Sequence, residues 1–259
     1  MDLMHAVAGF LVGAMVGMTG VGGGALMTPL LVLLFGVAPA TAVGTDLWFA
    51  ALTKIVGGFM HQQKGSIDWQ VLRRMCLGSL PASMATLAWL HLSGHEQMKQ
   101  GLILKALGIV LILTAAAMFF RAYSQAWGTV RRTRAPERFK RAQPALTVLA
   151  GAILGFLVTL TSVGAGALCV VMLVYLYPFR MIPARLVGTD IVHAIPLTIL
   201  AGSGHALMGN VDLGLLGNLL LGSVPGVIVG SRLGAKVPET LLRSLIAVVL
   251  TAVGIKLVL

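Results

Sequence analysis

Apolar residues fall into eight blocks, at about 4–36, 40–61, 69–92, 100–120, 144–178, 184–207, 213–235 and 240–259, separated by short polar gaps. Each holds a stretch near 20 residues long, enough to cross a bilayer as a helix. The first and fifth blocks are longer than one crossing needs. Each carries small residues at its centre: Gly17–Pro29 reads GMTGVGGGALMTP, and 142 residues later Thr159–Ala167 reads TLTSVGAGA. Glycine there interrupts a continuous membrane helix and permits a tight turn or a close backbone approach.

The echo belongs to a longer repeat. Gly9–Phe35 aligns with Gly151–Tyr177 with 12 identities in 27 positions, and Gly44–Ala85 aligns with Gly188–Val229 with 14 in 42. Shared apolar composition accounts for matched leucines. It does not account for GTD at Gly44–Asp46 and Gly188–Asp190, for His61 against His205, or for Asp68 against Asp212. Nor does it account for GSLP at Gly78–Pro81 against GSVP at Gly222–Pro225. The chain is thus predicted to be two copies of one unit, 1–120 and 144–259, joined by a basic loop over 121–143.

Composition sharpens the class. The 259 residues are 58% hydrophobic and 10% charged, with a mean hydropathy of +0.94, far from the roughly one-quarter charged residues of a soluble domain. The net charge of +11 does not point to nucleic acid, because the basic residues sit in gaps between apolar blocks, where they act as topology signals. The start, Met1-Asp2-Leu3-Met4-His5, lacks the positive n-region of a cleaved signal peptide, so the first block is expected to stay in the mature protein. Cys76 and Cys169 fall in apolar segments without metal or redox spacing and read as small packing residues.

Charge also orients the repeats. Arg121–Arg141 holds seven Arg/Lys against one Glu, which places it in the cytoplasm. If all eight blocks cross once, the remaining basic residues, Lys54 within its block set aside, divide four inside (Lys64, Arg73, Arg74, Lys256) to seven outside. If the first and fifth blocks are instead two short half-helices that enter and return on one side, eight lie inside and only Lys99, Lys105 and Lys256 outside. The second arrangement makes the halves antiparallel. The expected fold is therefore all-α, polytopic, five plus five segments in two inverted repeats, with eight plain crossings as the alternative.

Candidate chemistry concentrates at the two glycine tips and on the helices that follow. Thr19, Gly20, Gly22, Gly23 and Gly24 form one tip, and Thr161, Ser162, Gly164 and Gly166 the other. Facing each other at mid-membrane, they offer hydroxyls, backbone N–H groups and helix N-termini, which suit an anion. The plainer alternative is close helix packing through small residues. In the second block Asp46, Lys54 and His61 share one helical face within about 80°. Asp190, His193 and His205 form a similar set in the sixth. Ionisable groups inside a span face a cavity or a partner. Lys54 suits an anionic substrate, with snorkelling or pairing to Asp46 as the structural alternative. Asp46, His61, Asp190, His193 and His205 are candidate coupling or pore-lining residues. The plainer alternative for the aspartates is local pairing with Thr45 and Thr189, and for His61 and His205 an interfacial hydrogen bond. Asp68 and Asp212 are predicted helix N-caps. No HExxH, GxSxG or Walker A pattern appears, no cofactor or metal is expected, and the chain is not read as an enzyme.

These residues resemble the TauE/SafE family of membrane permeases, the sulfite exporter or toluene-sulfonate uptake family. The resemblance rests on GMTGVGGGALMTPLL (Gly17–Leu31), ATAVGTDL (Ala40–Leu47), Lys54…Gly57-Gly58…His61…Gly65, and Asp68 followed by GSLP. The second half repeats it through Gly188–Asp190, His205, Gly209 and Gly222–Pro225. It implies a multi-pass inner-membrane permease of sulfur-containing organic or inorganic anions, such as sulfonates or sulfite. Two departures stand out: Ala165 occupies the place of Gly23, and Thr198 stands opposite Lys54, which suggests an asymmetric site. The expected partners are a small anion, the lipid bilayer and a coupling proton or ion. A channel-like or accessory membrane subunit, without transport of its own, is the reading of another class.

Overall fold

The computed structural model describes residues 3–19, 24–63, 65–93, 96–134, 136–234 and 239–259. Among them are ten helices and no strand: α1 (Leu3–Thr19), α2 (Gly24–Phe35), α3 (Pro39–Gln63), α4 (Trp69–Leu92), α5 (Glu96–Arg134), α6 (Pro136–Thr161), α7 (Ala167–Leu176), α8 (Pro183–Leu207), α9 (Leu213–Gly234) and α10 (Glu239–Val258). The fifth apolar block breaks in two between α6 and α7, as its glycine centre predicts, and the described residues of the first fall into α1 and α2 on either side of residues 20–23. The break leaves α7 with 10 residues. At 1.5 Å per residue it spans about 15 Å, too short for a hydrocarbon core of about 30 Å. Among the described residues five helices, within Trp69–Leu92, Gln100–Arg121, Glu137–Thr161, Pro183–Leu207 and Leu213–Gly230, are long and apolar enough to cross a membrane.

Two features differ from the sequence expectation. The leading segment of the second half is not short: α6 runs 26 residues from Pro136. The basic stretch 121–143, expected as a loop, is helical through Arg134 and again from Pro136. Hydropathy falls there, but Ala, Arg, Gln and Lys keep high helix propensity, so the charge run extends the helices instead of interrupting them.

The halves are interlaced. α1 packs along α9 and α6 along α4, each first helix lying against the other half, while α3 pairs with α8 and α5 with α10. Glycine sets the closest of these contacts. Gly9 and Gly13 of α1 lie against Leu219 and Ser223 of α9, and Gly151 and Gly155 of α6 against Met75 and Ser79 of α4. Partners advance together along both chains, so these pairs run parallel. A Cβ at Gly78 would stand 1.9 Å from the Val148 carbonyl oxygen, and one at its counterpart Gly222 1.8 Å from that of Ala6. Only glycine allows the backbones that near.

α3 and α8 run antiparallel. Gly44, near the start of α3, meets Asn210 and His205 at the end of α8, and Gly188, near the start of α8, meets Ser66 and His61 at the end of α3. The two GTD motifs thereby reach across the pair. Thr45 accepts the backbone N–H of Asp212 at 3.1 Å, and Thr189 that of Asp68 at 2.9 Å. Asp68 and Asp212 cap α4 and α9 as the sequence predicts, accepting from Val71 N at 3.2 Å and Leu215 N at 2.9 Å. The exposed face of the bundle is apolar, with Leu77, Val224, Leu245 and Val248 all more than half exposed, as lipid contact requires.

Candidate functional site

The described tip, between α6 and α7, is held open by unusual backbone. Ser162 sits at φ 58°, Gly164 at 120° and Gly166 at 135°. A serine in the left-handed region is uncommon enough to mark strain that the surroundings fix. Thr161 steadies the turn: its Oγ1 donates to the Leu157 carbonyl at 2.7 Å and accepts the Val163 N–H at 3.2 Å. That hydroxyl is therefore already engaged, while Ser162 Oγ, also buried, has no hydrogen-bond partner among the described residues. Of the other tip, Gly20, Gly22 and Gly23 lie outside the described residues, Thr19 is placed only as the last residue of α1, and Gly24 opens α2.

Both GTD carboxylates converge on this tip. Asp46, fully buried on α3, accepts the hydroxyl of Thr28 on α2 at 2.6 Å and lies beside Ser162. Asp190 on α8 lies beside Cys169 and the backbone of Gly166, at the N-terminus of α7. Neither carboxylate bonds the adjacent threonine, because Thr45 and Thr189 are turned to Asp212 and Asp68. The N-terminus of α7, expected to wait for an anion, thus holds a resident carboxylate.

Lys54 is 8% exposed and lies within electrostatic range of Asp46, Asp190 and His193. Among the described residues it makes no direct ion pair with either aspartate. His193, fully buried, bonds Ser79 on α4 through Nε2 at 2.9 Å. Thr198, at the position equivalent to Lys54, returns its hydroxyl to the Ala194 carbonyl of its own helix at 2.8 Å.

The two end histidines stand apart from this cluster. His205 is buried and meets the Thr159 carbonyl at 2.9 Å through Nε2, and Thr159 in turn donates to Ser83 at 2.7 Å. His61 meets Ser66 at 2.8 Å, at the end of α3. Each makes a hydrogen bond, as the plainer alternative expects, but that of His205 lies in the protein interior, to a carbonyl 46 residues away, and not at an interface.

Six buried side-chain polar atoms lack a hydrogen-bond partner among the described residues. Five belong to residues singled out from the sequence: Asp46 Oδ1, Ser162 Oγ, Asp190 Oδ1, His193 Nδ1 and His205 Nδ1. Native interiors satisfy nearly all such groups, and these exceptions gather on α3, α8 and the α6–α7 tip, where Asp46 faces Ser162 and Asp190 faces Cys169 and the Gly166 backbone. Thr28, Ser79 and Cys169 were not singled out. Thr28 lies within the quoted GMTGVGGGALMTP stretch and Ser79 within GSLP, but a lone hydroxyl carries no spacing that announces its partner.

Membrane-length helices, the break between α6 and α7 and ionisable groups buried beside it define a polytopic membrane transporter. The chain belongs to the sulfite exporter TauE/SafE family, whose profile matches residues 5–257. It is 38% identical over the full length of both chains to the probable membrane transporter protein YjnA of Bacillus subtilis. It is 27% identical to the probable membrane transporter protein MJ0441 of Methanocaldococcus jannaschii, over 80% of this chain and 72% of that one. No solved structure matches it significantly.

Proposed function

We propose that this transporter is a secondary permease of small anions, sulfur-containing ones such as sulfite or sulfonates, coupled to protons and built as two inverted repeats in the inner membrane. The family description names sulfite export, and the basic segment favours a cytoplasmic position for 121–143. The antiparallel pairing of α3 with α8 supports the inverted arrangement, since eight plain crossings would make these equivalent helices parallel.

The observation that carries the reading is the cluster of buried ionisable and polar groups around Lys54. One cation lies near two carboxylates without pairing directly with either. An arriving anion takes the cation, while the carboxylate resting on the α7 N-terminus repels it. A proton on Asp190 removes that repulsion and frees the helix N-terminus for the substrate. Anion and proton then move together. Ser162 and His193 supply the further polar contacts, and the strained tip between α6 and α7 is the element that shifts.

Purified protein in liposomes, offered labelled sulfite, sulfonates and carboxylates under an imposed pH gradient, tests this. Saturable, gradient-dependent uptake of a sulfur anion is expected. Uptake only of carboxylates would overturn the substrate class, and no uptake of any anion would overturn the transport reading in favour of an accessory subunit.

A further inference from the structure

A concave site lies away from the transport cluster, where α5 runs on past its membrane-length stretch and meets the first turns of α6. It is a groove of about 570 Å³. α5 contributes Trp127, Val130 and Arg131, and α6 contributes Arg138, Phe139 and Leu146. A smaller crevice of about 270 Å³ continues from Trp127 past Tyr123 to Tyr175 of α7. Together they run along one face of α5. Phe120, Tyr123, Trp127 and Arg131 follow one another at steps of three, four and four residues, which keeps them within about 80° around the helix. Phe120, Tyr123 and Trp127 are each more than half exposed.

The stripe has a graded chemistry: phenyl, then phenol and indole, then guanidinium. That is the order met on leaving a bilayer, with Tyr and Trp at the headgroup level and basic residues beyond. Gly128 packs on the Tyr175 carbonyl, and Phe139 stacks edge-on against the Tyr175 ring at 6.2 Å. These contacts hold the groove's walls together at the end of the short helix α7.

Neither Arg131 nor Arg138 has an acidic partner among the described residues, and Glu137 is the one acid between residues 121 and 141. Two guanidinium groups over an apolar, aromatic channel fit a phosphodiester with an acyl chain attached. Guanidinium pairs with phosphate by paired, charge-assisted hydrogen bonds. Basic pockets between membrane helices on this side hold anionic headgroups. We infer that the α5–α6 groove is a binding site for an anionic phospholipid of the surrounding bilayer, its phosphate between Arg131 and Arg138 and an acyl chain lying past Trp127 towards Tyr123.

The test is thermal unfolding of the detergent-purified full chain titrated with phosphatidylglycerol, phosphatidylcholine or soluble glycerol phosphate. The variants are Arg131→Gln/Arg138→Gln and Arg131→Lys/Arg138→Lys. Phosphatidylglycerol is expected to raise the wild-type melting temperature above the value reached with phosphatidylcholine, because a ligand of the folded state stabilises it by mass action. The double Gln variant should melt with wild type in detergent alone, both arginines being exposed, and lose that added shift. The Lys variant should keep part of it. An equal shift from both lipids, a shift that survives in the double Gln variant, or an equal shift from glycerol phosphate would each overturn the inference, the last in favour of a soluble-anion site.

Discussion

Arg180 closes on Asp68 with two contacts, Nε to Oδ2 at 2.5 Å and Nη2 to Oδ1 at 2.7 Å. The arginine lies in the α7–α8 connection of the second half, and the aspartate caps α4 in the first. Asp212, the counterpart of Asp68, keeps the cap and the threonine contact but has no arginine or lysine on it among the described residues. The two ends of the α3–α8 pair are therefore fastened differently. Arg180 is 40% exposed, so solvent screens the pair and its loss should cost about 1 kcal/mol, or roughly 2–4 °C for a chain of this size. Arg180→Gln is expected to lower the melting temperature by that amount. Asp68→Ala should cost more than Asp212→Ala, because the first loses cap and ion pair and the second only the cap. Equal losses would show that the arginine contributes nothing.

Lys54 sits among Asp46, Asp190 and His193 without a direct ionic bond to either carboxylate. Lys54→Ala is expected to reduce anion uptake at least about tenfold, equivalent to some 1.4 kcal/mol of lost substrate binding, while membrane insertion stays normal. Lys54→Arg should recover part of it. Uptake by the Ala variant at the wild-type rate would remove Lys54 from the site.

The proposed coupling separates the two aspartates. Asp190 lies at the N-terminus of α7, whereas Asp46 is tied by Thr28 to α2. Asp190→Asn keeps the size of the side chain and removes its charge. The expected result is anion uptake that no longer acidifies the liposome interior, read with a trapped pH-sensitive dye. Thr28→Val should leave coupling intact and slow uptake, since it loosens Asp46 without neutralising it. Full proton flux through Asp190→Asn would assign coupling elsewhere.

Much of this architecture was legible from the chain. Block edges at 69–92, 184–207 and 213–235 fall within about a residue of α4, α8 and α9, because apolar length alone fixes a membrane helix. The repeat exposed GTD, His61/His205 and the Asp68/Asp212 caps, since chance does not duplicate polar residues in apolar surroundings. What escaped were relationships between halves. The partner of Thr45 is 167 residues away and that of Ser79 is 114 away, and no local spacing encodes either. Glycine was legible as unusual but not as divided in purpose. Near Gly164 and Gly166 it bends the chain, whereas at Gly78 and Gly222 it lets two backbones touch.

That second purpose predicts a sharp contrast among glycines. A Cβ at Gly222 would meet the Ala6 carbonyl and at Gly78 that of Val148, both backbone atoms that cannot step aside. At Gly217, on the same helix as Gly222, a Cβ would meet nothing within 4 Å. Gly222→Ala and Gly78→Ala are expected to destabilise by at least the roughly 1–3 kcal/mol of an overpacked core, seen as loss of a monodisperse peak in detergent. Gly217→Ala should behave as wild type.

The inverted arrangement makes a prediction that the alternative contradicts. α3 and α8 are equivalent in sequence yet packed antiparallel, so Ser66 after α3 and Asn210 after α8 should emerge on opposite faces of the membrane. Eight plain crossings would put both on the same face. Ser66→Cys and Asn210→Cys, each in a Cys76→Ala/Cys169→Ala background, can be labelled in intact cells with a thiol reagent that does not cross the membrane. Asn210→Cys is expected to react from outside. Ser66→Cys, on the side of Lys64, Arg73 and Arg74, should react only after the cells are opened. Should both react from outside, or neither, the glycine breaks would have to be crossings after all. The carboxylates gathered at the α6–α7 turn would then need a different route to the substrate.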